Sequence, residues 1–168
     1  MDHRLLRVGK GFDIHRLKPG LPFVLGGVTI PFEKGMDAHS DGDVLIHAVI
    51  DSLCGATGSD DIGTHFPHTD PRYKDVSSRH LLKRILEVIP SFTILNIDTV
   101  LYCEEPRLSP YREEIVRSLA SILGISEKLL NLKCKTMEKT GPIGKGEAVA
   151  AEAVTLLLLS RNTLPEGG

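Results

Sequence analysis

The chain has 168 residues, close to one domain at roughly 150 residues each, and a formal net charge of -2. With 41% hydrophobic and 25% charged residues it lies in the globular range, which excludes a disordered, collagen-like or disulfide-scaffold protein. The charge balance leaves no basic footprint for nucleic acid, and with 5% aromatic residues and no Trp it lacks an aromatic membrane belt.

Cys54, Cys103 and Cys134 are an odd, widely spaced set without a Cys-x-x-Cys pair, and they read as buried thiols of a reducing compartment. Residues 1–8 hold no apolar run of a secretion signal. The longest apolar tract, 148–159, is interrupted by Glu152 and is shorter than the ~20 residues of a membrane span. One domain over 1–168 is expected, in the cytoplasm, or in a plastid-type organelle if a transit peptide has been removed.

Residues 5–15 show a period of two, with Leu6, Val8, Phe12 and Ile14 on one parity, and predict a strand that Gly9 and Gly11 loosen. Residues 22–32 carry Phe23-Val24-Leu25 and Val28-Thr29-Ile30 around Gly26-Gly27: a strand pair, or one bulged strand, closed by Pro31. Ser40-Asp41-Gly42-Asp43 supplies N-cap chemistry for a helix started by Ser40 or Asp41 and ended by Gly55 and Gly58. From 59 to 75 the chain is polar and rich in Gly, Pro, Asp and His, a long loop of the kind that carries function. Ser77-Ser78 caps a second helix with Leu81, Leu82, Ile85, Leu86 and Ile89 as its apolar face and Pro90 as its stop.

Residues 94–102 alternate as a strand. Ser109-Pro110 opens a third helix with Ile115, Leu119, Ile122 and Leu123 inward and Gly124 at its end. A helical turn at 126–130 precedes a strand at 132–137. The segment 147–160 is ambiguous, since its Ala and Leu content favours helix while a buried strand tolerates the same run. The order strand, helix, helix, strand, helix, strand gives an α+β class, with helices packed on one face of a small mixed sheet.

Asp13 and His15 lie two apart on the first strand and share a face, and Asp43 and His47 are four apart on the first helix. Asp13, His15 and His47 together offer one carboxylate and two imidazoles. That donor set suits Zn²⁺ with a fourth position open to substrate, and without a thiolate Mn²⁺ or Fe²⁺ fits as well. A polar strand end and a core histidine are the plain alternative. Loop 60–71 supplies carboxylates for polyol hydroxyls and backbone amides for phosphate. At 135–147, Thr136 and Glu138 are followed by Lys139 and Lys145 among glycines. This suits phosphate and Mg²⁺, but Lys139 and Gly146 break the P-loop pattern. There is no G-x-S-x-G, H-E-x-x-H, Rossmann fingerprint or EF-hand loop, so nucleophilic Ser or Cys catalysis has no local support.

In chain order, Gly11-Phe12-Asp13-Ile14-His15, Gly26-Gly27-Val28-Thr29-Ile30-Pro31, Ala38-His39-Ser40-Asp41-Gly42-Asp43-Val44, Asp61-Ile62-Gly63 with Phe66-Pro67 and Thr69-Asp70, and Thr136-Met137-Glu138-Lys139 resemble one family. It is the 2-C-methyl-D-erythritol 2,4-cyclodiphosphate synthase family of the non-mevalonate isoprenoid pathway, and the resemblance runs over about residues 8–160. It implies a homotrimer of ferredoxin-like subunits with active sites at the interfaces, and a strand at 147–160. It implies Asp13, His15 and His47 as zinc ligands, and His39 and Thr136 as stabilisers of the transition state. Glu138 would be the ligand of a second ion, Mg²⁺ or Mn²⁺, between substrate phosphates. Asp61 and Gly63 would hold the hydroxylated part of the substrate. Cys103, Glu104, Glu105, Pro106, Arg107 and Leu108 would form a cytidine pocket across an interface. The wider substrate-binding set so implied adds Ser40, Ile62, Phe66, Pro67, His68, Thr69, Asp70, Ser109, Lys135, Met137, Pro142 and Lys145.

The substrate implied is 4-diphosphocytidyl-2-C-methyl-D-erythritol 2-phosphate, whose 2-phosphate attacks its own β-phosphorus and releases CMP. His68, Lys135, Met137, Pro142 and Lys145 depart from the usual family residues. Pro142 and Lys145 stand where an aromatic residue and Arg are usual. Lys lacks the bidentate fork with which Arg would grip an isoprenoid diphosphate on the trimer axis. A metal-dependent phosphoesterase and a non-catalytic metal- or isoprenoid-binding trimer are the alternatives, and no nucleic acid or membrane partner is expected.

Overall fold

A period of two along the first strand, two amphipathic helices and one helix buried nearly all round fix the architecture. The structure, a computed structural model, describes residues 5–67, 69–73 and 76–160. Its elements are β1 (Leu6–Pro19), β2 (Phe23–Leu25), β3 (Val28–Ile30), β4 (Lys34–Asp37), α1 (Val44–Thr57), α2 (Ile62–His65), α3 (Ser78–Val88), β5 (Phe92–Tyr102), α4 (Arg112–Leu123), β6 (Leu130–Lys135), α5 (Gly141–Gly144) and β7 (Ala148–Leu159). The main sheet has the order β4-β1-β7-β5-β6, and only its β5–β6 pair is parallel. β2 and β3 form a separate hairpin around Gly26-Gly27, as the strand-pair reading anticipates.

The three long helices bury their apolar stripes on one face of this mixed sheet, the α+β arrangement expected. Leu45, Ile46, Val49, Ile50 and Leu53 of α1, Leu81, Leu82 and Ile85 of α3, and Ile115 and Leu119 of α4 build the core with Ile97, Leu101, Leu132 and Leu157. The opposite face carries the apolar parity of β1. Val8, Phe12 and Ile14 are 66%, 51% and 44% exposed, with Val154 of β7 on the same open side at 42%.

The inward parity of β1 begins with Gly9 and Gly11, and there the sequence reading needs revision. A Cβ on Gly11 would lie 1.9 Å from the Ala48 carbonyl oxygen, and one on Gly9 1.9 Å from that of Ser52. These glycines seat α1 directly on the strand rather than loosening it.

One other local reading changes. Helix α1 starts at Asp43, whose side chain accepts from the Ile46 amide, and not at Ser40 or Asp41. Gly42 intervenes with φ of 71°, a left-handed conformation that a right-handed helix cannot contain. Residues 148–159 form the central strand β7, as the resemblance implies for 147–160: β1 and β5 pair with it on both sides. Tertiary pairing overrides the intrinsic preference.

Candidate active site

The glycine seats place His47 of α1 over the inward side chains that continue the parity of β1, Asp13 and His15. His47 Nδ1 lies 2.9 Å from Asp13 Oδ2 and 3.2 Å from His15 Nε2, and His15 Nε2 lies 3.0 Å from Asp13 Oδ2. Three donor atoms at the corners of a triangle with edges near 3 Å match one face of a tetrahedron around a single ion. Ligand bonds of ~2.0–2.1 Å give edges of about 3.3 Å. Asp13, His15 and His47 are the one such group found among the described residues. Burial alone would raise the Asp13 carboxyl. The His15 and His47 imidazoles set against it outweigh that and hold Asp13 well below the usual carboxylate range. The residue is therefore ionised at neutral pH, the form a ligand needs.

Asp43 does not join this group. It is fully buried and accepts from the amides of Gly26 (3.0 Å), Gly27 (2.7 Å) and Ile46 (3.1 Å), tying the β2–β3 hairpin to the start of α1. Burial pushes its carboxyl up to about 6 against those three bonds.

A cavity of about 210 Å³ opens beside the triangle. It is lined by Asp13, His15, Ala38, His39, Ser40, His47, Ile62, Gly63, Phe66, Tyr73 and Leu81. The long loop is thus partly ordered into α2 and a turn at Pro71–Tyr73, with Phe66 and Tyr73 packed edge to face at 5.1 Å. Asp61 is exposed and caps α2 by accepting from the Thr64 amide at 2.8 Å, a bond that lowers its pKa. The Ile62 amide is held by Asp51 at 2.9 Å. Pro67 and Thr69 are exposed, Asp70 pairs with Arg72 at 2.6 Å, and His68 lies outside the described residues. Tyr73 and Leu81 escape sequence reasoning because neither sits in a motif, and only the fold brings them to the cavity wall.

The remaining predicted residues gather elsewhere. Glu104 accepts from the Met137 amide at 3.0 Å and the Lys135 carbonyl accepts from the Cys103 amide at 2.9 Å, so segments 103–109 and 135–138 form one surface. There Thr136 donates to Glu138 at 3.1 Å, and Lys135, Thr136, Glu138, Glu105, Arg107 and Ser109 are exposed while Pro106 is half-buried. Cys103 and Leu108 are buried in the core, at 5% and 4%, so their side chains face inward. Glu138 and Lys139 have φ of 48° and 61°, left-handed values that side-chain-bearing residues rarely adopt. Pro142 and Lys145 are exposed on and just after α5.

These two clusters do not meet within one chain. The pairing runs Asp13 to Ala151, Ala151 to Leu101 and Leu101 to Cys134, so both lie at one end of the sheet. β6 is three strands from β1, roughly 14 Å at ~4.8 Å per strand.

The YgbB family pattern matches residues 6–158. The chain belongs to the YgbB family. A relative from Laribacter hongkongensis (strain HLHK9), a 2-C-methyl-D-erythritol 2,4-cyclodiphosphate synthase, is 49% identical over 154 residues, 90% of this chain and 95% of its own. Among solved structures, a 2C-methyl-D-erythritol-2,4-cyclodiphosphate synthase in a CDP-bound form superimposes with a TM-score of 0.83 at 37% identity, covering 90% of this chain and 99% of that one. The bifunctional IspDF from Campylobacter jejuni gives 0.86 at 35% identity over 92% of this chain, which spans 42% of that longer one.

Proposed function

We propose that this chain is a 2-C-methyl-D-erythritol 2,4-cyclodiphosphate synthase, a phosphorus–oxygen lyase. It converts 4-diphosphocytidyl-2-C-methyl-D-erythritol 2-phosphate to the cyclic diphosphate and CMP. The observation that carries the reading is the Asp13–His15–His47 triangle at the mouth of a cavity, in a chain 49% identical to a protein of that name. In the reaction an oxygen of the 2-phosphate forms a bond to the β-phosphorus, and the bond from that phosphorus to the CMP oxygen breaks. The attacking oxygen is already anionic, so no side chain has to remove a proton. This agrees with the missing Ser, Cys and general-base motifs.

What remains for the chain is to fold the substrate back on itself and neutralise charge. Asp13, His15 and His47 would hold a divalent transition metal, Zn²⁺ by donor type, which supplies Lewis-acid polarisation of a diphosphate oxygen. Glu138 would hold a Mg²⁺ or Mn²⁺ that screens the phosphates from each other, as a lone carboxylate completed by water and phosphate oxygens does. The left-handed backbone at Glu138 and Lys139 supports a functional role, since such strain persists where position matters. His39, exposed on the cavity wall, and Thr136 are assigned to donate to phosphate oxygens as charge shifts. Asp61 and Gly63 are assigned to the hydroxylated part, Ser40, Ile62, Phe66, Pro67, Thr69 and Asp70 to the wider substrate-binding set, and segment 103–108 to cytidine.

The assignment needs a second copy. The ion triangle and the cytidine surface share one end of the sheet but lie toward opposite edges, so a head-to-tail neighbour would join one edge to the other, and such contacts form a ring when the rotation between copies closes. Val8, Phe12, Ile14 and Val154 on the face that no helix covers supply the apolar area for that association. A homotrimer with sites between subunits is the assembly proposed. No described helix is long and apolar enough to cross a membrane. The setting proposed is the cytoplasm, or a plastid-type organelle as in the name of a chloroplastic rice relative.

Incubation with the substrate, Zn²⁺ and Mg²⁺, followed by phosphorus NMR, tests the reading. Cyclic diphosphate with equimolar CMP is expected. Linear phosphate products would identify a phosphoesterase, and no turnover would leave a binding protein.

A further inference from the structure

Only one ring nitrogen of His47 faces Asp13 and His15. The other, Nε2, points away from them and lies 2.8 Å from the hydroxyl of Ser78, which is fully buried at the start of α3. That hydroxyl makes a very short contact with Asp41 Oδ1, and the Ser78 amide donates to Asp41 Oδ2 at 3.0 Å. Asp41 is itself tied to this corner, its own amide donating to the Val76 carbonyl at 3.3 Å. Ser40 Oγ also approaches Nε2, at 3.3 Å, but it already accepts from the Gly42 amide at 3.2 Å. Neither Asp41 nor Ser78 lines the cavity beside the triangle.

Counting hydrogens along this line settles who donates. An ionised carboxylate carries none, so Asp41 only accepts. Ser78 has one hydroxyl hydrogen and gives it to Asp41, which leaves the Ser78 oxygen to accept from His47. Nε2 must therefore carry a hydrogen, and a neutral imidazole with its hydrogen on Nε2 presents a lone pair at Nδ1.

We infer that Asp41 and Ser78 are an orienting relay that holds His47 in the Nε2–H tautomer and aims the Nδ1 lone pair at the cation. The inference deepens the metal reading of the Asp13–His15–His47 triangle and rests on it. Both are positioning residues, acting through His47 without touching ion or substrate. The relay also draws charge toward the ring, since a carboxylate behind the serine makes its oxygen a better acceptor and the imidazole a stronger ligand. Outer partners of this type change metal affinity 10–100-fold when removed. Asp41 serves a second purpose at the same time. It satisfies the Ser78 amide at the first turn of α3, where Ser77 makes no side-chain cap bond.

Zinc titration of the full-length protein in competition with a chromophoric chelator tests the relay, using the parent, Ser78→Ala, Asp41→Asn, the double variant and His47→Ala. An amide at Asp41 cannot accept on both sides, so it either confronts the Ser78 amide or reverses the serine hydroxyl toward Nε2. Each single variant is expected to weaken zinc binding 10–100-fold, and excess zinc is expected to restore turnover. The double variant should be no weaker than the worse single, because both act along one line. Should Ser78→Ala fail to fold, Asp41→Asn carries the test alone, since Asp41 is only half-buried. Zinc affinity unchanged from the parent in Asp41→Asn, or additive losses in the double variant, overturns the relay. If His47→Ala binds zinc as tightly as the parent, it is the metal site that fails.

Discussion

The carbonyl oxygen of Ala48 occupies the space in which a side chain on Gly11 would begin: a Cβ there would lie 1.9 Å away. Strand and helix meet backbone to backbone at this point, one residue from His47 and two from Asp13. Gly11→Ala must push α1 outward by more than an ångström. We expect a stability loss of about 2–3 kcal/mol, as for overpacked cores, which lowers the melting temperature by roughly 5–10 °C for a chain of this size. Zinc affinity should fall with it. Thermal unfolding and zinc titration check this, and unaltered zinc binding would show that the seat does not set the triangle.

Removing His47 should act on the ion and spare the fold. His47→Ala is expected to lose bound zinc, read by elemental analysis, and to lose CMP release with it. A chelator should reproduce that loss in the parent and added Zn²⁺ reverse it. A zinc-free variant that still turns over would contradict the assignment.

Thr136 is exposed and donates to Glu138, so Thr136→Val leaves the core untouched. Loss of one donor to a developing phosphate charge costs on the order of 10²-fold in turnover, by analogy with oxyanion donors. Steady-state kinetics should show that fall in kcat at near-constant melting temperature. A fall confined to KM would make Thr136 a binding residue only.

Asp43 gives a pH signature. Its folded pKa, raised by burial to about 6, lies above the unfolded value near 3.9. Between pH 4 and 6 the unfolded chain has released this proton and the folded chain has not. Stability from this group therefore falls as pH rises through that window, by up to about 3 kcal/mol, and is level above it. Urea unfolding of the parent and of Asp43→Asn from pH 4 to 7 should show the difference declining and then flat. A constant difference would mean that the three amides hold Asp43 ionised throughout.

Much of this was written locally. The apolar spacing of α1, α3 and α4 and their glycine or proline stops mark the three helices, and Asp13, His15 and His47 offer an ion's donor set by residue type alone. Other features depend on distant segments. β7 is ambiguous between helix and strand on its own residues, until β1 and β5 flank it. Gly9 and Gly11 look like weak points of a strand until a helix lies on them. The parity of Val8, Phe12 and Ile14 marks an apolar face, but only the packing of α1 on the other side shows that this face is the open one. Ser78 looks like a helix cap, yet its hydroxyl serves His47, thirty-one positions earlier in the chain. A cap and an orienting group have the same sequence.

The distance between the ion triangle and Thr136–Glu138 has a genetic consequence. If each working centre borrows one half from a neighbour, a defect in His47 and a defect in Thr136 need not add when two kinds of chain are mixed. A ring built from both would contain some junctions that carry both lesions and others that carry none. Two inactive proteins, unfolded together and refolded as a blend, should then regain a fraction of activity that neither has alone.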